Sequence, residues 1–237
     1  ITLSRRNRRE RLLARLRTDY LKRNADDRTI ADYDATLTEA LRLAGPQFTK
    51  VFQLDREPAS LRESYGGEFG QRCLLTRRLI QSGVRFIEVS HNLNFVNGTG
   101  WDTHNDGQLN QHLLIKEMDI ALSALVHDLE QKKLLDKTLI VVSTEFGRTP
   151  KINSKGGRDH WGRLCTLALC GGGLKMGQVI GQSSPRIEIP ATTPITPQDL
   201  MATILHIYGL DQQLQYVNNQ GRPTFLIEDG QPIAELI

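Results

Sequence analysis

Three polar stretches carry side chains able to bind a cation or move a proton. GWDTHND supplies Asp102, His104 and Asp106, STEFGR supplies Glu145 and Arg148, and GGRDHWG supplies Arg158, Asp159 and His160. Asp102 and His104 stand two residues apart, so an extended backbone presents both on one side, as chelation of a single cation by a carboxylate and an imidazole requires. The same pair could instead cap the helix expected just after it. Glu145 directly follows an apolar run and is expected to turn its carboxylate into a crevice; Arg148 could pair with it or hold an anionic group with its planar fork. Asp159 and His160 lie beside glycines that allow close backbone approach, with Trp161 at hand to wall off water, or else they satisfy polar groups of a packed loop. Of the other histidines, His91 ends an expected strand, whereas His112, His127 and His206 fall on expected helices.

These stretches need elements to position them. Residues 4 to about 80 read as helices, from apolar spacing of three and four in RRERLLARLRTDYL, YDATLTEALRLAG and FGQRCLLTRRLIQSG. VRFIEVS then alternates as a strand does, and a long amphipathic helix is expected from about Leu109 to Lys133, with Leu113, Met118, Leu122, Leu125 and Leu129 on its apolar side. TLIVVST and LCTLALCGGG read as buried strands, QVIG as a short one, and PQDLMATILHIYGL as a helix between Thr196-Pro197 and Gly209. The tail from Asp211 reads as a surface hairpin or cap. Helices between strands in this order predict a mostly parallel α/β sheet with helices on both faces, whose carboxyl-end loops carry the candidate site. One domain is expected over 1–237, with a helical lead-in to about residue 80 and an α/β core from 81.

The words GVRFIEVS, GWDTHND, LLDKTLIVVSTEFGRTPKIN, GGRDHWG, LALCGGGLKMGQVIG and TPQDLMATILHIYG resemble, in order, the bacterial domain-of-unknown-function 1501 family. That family is similar in turn to the alkaline phosphatase and sulfatase superfamily. The resemblance implies that GWDTHND supplies an Asp and a His to a metal and that His160 completes that site. It places Glu145 where the superfamily has a metal-binding Asp, and Phe146, which cannot ligate, where it has a His. It also implies that this chain is the C-terminal part of an alkaline phosphatase-like domain. The nucleophile and a further ligand would then lie in an N-terminal half of the same protein, behind an export signal, and this chain alone would turn over little substrate.

The expected activity is metal-dependent hydrolysis of a phosphate or sulfate ester of a small molecule or glycan. A divalent ion (Zn, Mn, Mg or Ca) would be held by Asp102, His104, His160 and Asp159, with Glu145 as ligand or general base and Arg148 and Arg158 facing the ester's oxygens. The rival expectation is a non-catalytic binding domain that keeps a degenerate site.

Composition narrows the field further. With 39% hydrophobic and 24% charged residues the chain is globular, and it has no apolar run of membrane-spanning length. Arg5, Arg6, Arg8, Arg9, Arg11, Arg15 and Arg17 crowd the first helix, where Leu12, Leu13 and Leu16 recur at helical spacing; this predicts a solvated arginine face. Nucleic-acid binding by that face is disfavoured, because no base-reading motif accompanies the charge. Cys165 and Cys170, in an apolar run, are expected to pack as small hydrophobes.

Overall fold

Helix formers, with Pro or an Asp or Thr cap at several starts, organise the first part of the chain. The computed structural model describes residues 2–91, 100–105 and 107–237. Its helices are α1 (Leu3–Arg23), α2 (Arg28–Leu43), α3 (Pro46–Thr49), α4 (Ala59–Ser64), α5 (Glu68–Gln81), α6 (Gly107–Gln131) and α7 (Pro197–Ile207). Asp27 caps α2 by accepting from the Thr29 and Ile30 amides. The chain divides into two compact units, residues 1–56 with 78–85, and residues 57–77 with 86–237.

In the first unit Arg17 of α1 is held by Asp34 of α2 at 2.6 Å. Arg5, Arg6, Arg8, Arg9, Arg11 and Arg15 are solvated as expected, whereas Arg17 is half-buried, and Leu12 and Leu16 are 58% and 59% exposed, so the leucines are not buried beneath the arginines.

In the second unit the buried stripe of α6 runs through Leu114, Ala121, Leu125 and Leu129. Leu113, assigned to that stripe by spacing, is 58% exposed. No glycine ends α6: Lys133 takes the left-handed conformation at φ 56°, and the Leu134 amide donates back to the Leu129 carbonyl.

The strands are β1 (Leu139–Val142), β2 (Gly147–Arg148), β3 (His160–Trp161), β4 (Ala168–Gly171), β5 (Gln215–Val217) and β6 (Pro223–Phe225). They pair as β1 with β4, β2 with β3 and β5 with β6, all antiparallel. This corrects the expected parallel sheet. A parallel return needs a crossover long enough to carry the chain back, usually a helix. Between β1 and β4 there is none; the two arms pair with each other instead. The pairing Val142↔Ala168 resumes as Gly147↔Trp161. It continues through the Thr149 amide to the Asp159 carbonyl and the Asn153 amide to the Gly157 carbonyl. Residues 139–171 thus form one interrupted antiparallel ribbon that doubles back at its tip.

VRFIEVS and QVIG form no strand among the described residues, and Phe86 is 76% exposed. The tail is only partly the surface hairpin expected, since Ile233 and Leu236 return to join Leu174 in a core that also packs Leu139, Leu169, Ile180 and Ile207. Cys165 is exposed and Cys170 half-buried, against the packed state expected of both, while Cys73 is buried.

Candidate functional site

The ribbon's returning arm lies beside the GWDTH segment. The Arg158 amide donates to the Thr103 carbonyl at 2.8 Å, and Asn105 bridges antiparallel to Gly156. Only glycine permits this approach at position 157, where a Cβ would stand 2.2 Å from the backbone of His104. Backbone alternation then does what the two-residue spacing promised. Thr103 is fully buried, and Asp102 and His104 turn to the other side.

There they meet His160 of β3. One ligand atom from each of Asp102, His104 and His160 lies within 4.8 Å of the others. The nitrogens Nε2 of His104 and His160 are 3.0 Å apart. Asp102 Oδ1 lies 3.1 Å from His104 Nε2, 3.9 Å from His160 Nε2 and 3.0 Å from Arg148 Nη2. None of these nitrogens is aligned to donate to it, so this buried oxygen has no hydrogen bond.

Asp159 does not share the cluster. Its Oδ1 stands 3.1 Å from Nδ1 on the far edge of the His104 ring and accepts from Asn153 Nδ2 at 3.1 Å. The hydrogen bonds from His104 and then Asn153 hold the Asp159 carboxyl below its usual range. A carboxylate only accepts, so His104 carries a proton on Nδ1, and its Nε2 faces Asp102 and His160. Asp159 thus lies outside the cluster that the sequence led us to expect it to join.

The two arginines are also placed differently from expectation. Arg148 pairs with Asp102, donates to the carbonyls of Trp101 and Arg158, and stacks its guanidinium over Phe146 at 5.8 Å. Arg158 donates to the Thr149 and Pro150 carbonyls, which ties it to the ribbon. Glu145 is exposed, accepts from the Thr144 hydroxyl at 3.3 Å, and lies outside the ligand cluster. Phe146 packs its ring 4.1 Å from that of His160. Trp161 donates from Nε1 to the Glu188 carbonyl. Asp106 lies outside the described residues.

Asn153, which no motif singled out, organises the tip. Its amide donates to the His104 carbonyl and to Asp159, and its Oδ1 accepts from the amides of Lys155 and Gly157. An Asn three residues before a Gly-Gly pair was the available signal.

His91 belongs to a separate arrangement. It contacts Glu117 at 3.0 Å and stacks on Phe69 at 4.1 Å. His127 contacts Gln131, and His112 and His206 are exposed.

The model of the protein of unknown function family DUF1501 matches residues 1–237. The chain belongs to the DUF1501 family. No curated protein and no solved structure matches it. No helix among the described residues is long and apolar enough to cross a membrane.

Proposed function

We propose that Asp102, His104 and His160 hold a divalent cation and that this DUF1501 chain contributes the metal-binding part of a phosphate or sulfate ester hydrolase. The observation that carries the reading is the meeting of three ligand-type groups. His104 Nε2, His160 Nε2 and Asp102 Oδ1, which has no aligned hydrogen bond, face one another at 3.0 to 3.9 Å. Ligand atoms about 2 Å from one ion have separations of this order, and a cation among them would satisfy the Asp102 oxygen. The donor set, two imidazoles and a carboxylate, suits a borderline ion such as Zn better than Mg or Ca.

Such an ion would polarise an ester oxygen as a Lewis acid. This chain's own residues do the holding. Asp159 fixes the His104 tautomer, Arg148 places Asp102 and partly offsets its charge, and Phe146 fixes the His160 ring. Glu145, exposed at the end of β1, is the carboxylate available to accept a proton from an attacking group.

A second reading, a binding domain with a degenerate site, has its own support. Phe146, which cannot ligate, stands against His160, and Glu145 stands apart from the cluster.

Metal analysis of chelator-free protein, with aryl phosphate and aryl sulfate assays, tests both. We expect an equimolar divalent ion that His160→Ala loses, and metal-dependent turnover in a form of the protein extended upstream. Wild-type protein holding no more metal than His160→Ala would sink the site. Bound metal without turnover in the extended form would favour the second reading.

A further inference from the structure

Beside His104 opens a cleft of about 360 Å³ lined by His104, Asn105, Asn153, Ser154, Lys155 and Asp159. Every lining side chain is polar, whereas pockets for apolar ligands are walled mainly by hydrophobic groups. Among the described lining residues Lys155 is the only lysine or arginine, and Asp159 is the carboxylate. The nearby arginines are committed elsewhere, Arg148 to Asp102 and Arg158 to ribbon carbonyls. The Lys155 backbone is fixed, because its amide donates to Asn153 Oδ1 at 2.9 Å. Asn105 adds a buried Oδ1 without a hydrogen-bond partner. Such a group is costly to leave unsatisfied, and it calls for a donor from a ligand.

We propose that this cleft is the ligand-binding half of the site, in which Lys155 takes an oxyanion and Asn105 a hydroxyl of a small hydrophilic phosphate or sulfate ester. The assignment of the reacting centre to Asp102, His104 and His160 underlies it. The cleft shares His104 with that centre and lies on the side of the ring where Asp159 stands, so the Lys155 ammonium must hold the anion clear of that carboxylate. A mobile ammonium at a fixed backbone position suits an oxyanion that must arrive and leave, since it meets the anion as a point charge. The polar walls give no gain for burying an aryl or alkyl group, and they favour a hydroxylated one.

Titration calorimetry of the whole chain with inorganic phosphate and sulfate, with and without added Zn, tests the proposal. Lys155→Ala should weaken anion binding tenfold or more, Lys155→Arg should restore most of it, and Lys155→Ala should leave Zn binding intact. His160→Ala without metal should keep the anion. Wild-type anion affinity in Lys155→Ala would overturn the proposal. So would anion binding lost in His160→Ala but kept in Lys155→Ala, which would seat the anion on the cluster instead. Because Zn is measured separately, failure of the metal site and failure of the cleft are distinct results. Glycerol phosphate should also bind more tightly than phenyl phosphate, with the preference lost in Asn105→Ala; equal or reversed affinities in the wild type would refute the role of Asn105.

Discussion

On the proposed reading, Asp159 orients His104 as a carboxylate orients a metal-ligating imidazole: it accepts the Nδ1–H and leaves Nε2 facing the cluster. Loss of such an outer partner typically weakens metal binding 10- to 100-fold. We expect that range for Asp159→Ala in a Zn or Mn titration, with retained secondary structure; an affinity within a factor of two of wild type would deny Asp159 this role. The meeting of Asp102, His104 and His160 was legible in the sequence, because D-x-H on an extended backbone and a His beside glycines are local patterns with a geometric meaning. The partners were not. Whether Asp159 faces the cluster or the outer edge of the His104 ring depends on the register of the ribbon against residues 103–105, which no single motif encodes. Arg148 looked available to Glu145 or to an anion, yet Asp102 claims it from 46 residues away in the chain.

At the scale of elements, α7 is the clearest case of sequence dictating structure. Thr196 accepts from the Asp199 amide while Asp199 reaches back to the Thr196 amide at 2.7 Å, with Pro197 between them. Spacing could not show that Asp199 also holds the tail. Its Oδ1 accepts from the Gln231 amide, and Thr203 Oγ1 accepts from Ile233, which anchors the core residues Ile233 and Leu236.

The bonds from Gln231 and then Thr196 lower the Asp199 pKa. A carboxyl whose folded pKa lies below its unfolded value adds stability above the unfolded pKa and loses it as pH falls through the folded one. Urea midpoints measured downward from pH 5 should therefore fall in the wild type, and Asp199→Asn should flatten part of that fall. An unchanged slope would mean that the cap and tail contacts do not persist in solution. The strands were harder to read. TLIVVST and LCTLALCGGG have the apolar content of parallel core strands, but the intervening residues pair with themselves and bring the chain back antiparallel, a choice decided by contacts and not by composition.

Across the second unit as a whole, a buried charge cluster joins α5 to α6 independently of the candidate site. Asp128, 3% exposed, accepts from Arg77 Nε at 2.7 Å and from the Tyr65 hydroxyl at 2.9 Å, with Lys132 at 3.4 Å from its other oxygen. Arg77, 2% exposed, also pairs with Glu57 at 2.8 Å. Burial first, and then the charge of Asp128, push the Tyr65 hydroxyl well above its ordinary pKa, so it stays protonated and donates. None of this could be read beforehand, because a lone Arg and a lone Asp on two amphipathic helices look like solvent-facing charges until the helices meet.

Burying such groups brings little net stability when all are paired, but removing Asp128 leaves Arg77 with Glu57 as its remaining counter-charge and the desolvated Arg77 Nε and Tyr65 hydroxyl without an acceptor. Asp128→Ala strands the Arg77 Nε and the Tyr65 hydroxyl together. We expect it to cost about 3–5 kcal/mol in urea unfolding followed by far-ultraviolet circular dichroism. Exposed pairs such as Arg6 with Glu10 should cost under about 1 kcal/mol when broken. The contrast between the two is the test: a loss at Asp128 no larger than that at Glu10 would mean that water reaches the cluster, and that α5 and α6 are held by their apolar stripes alone.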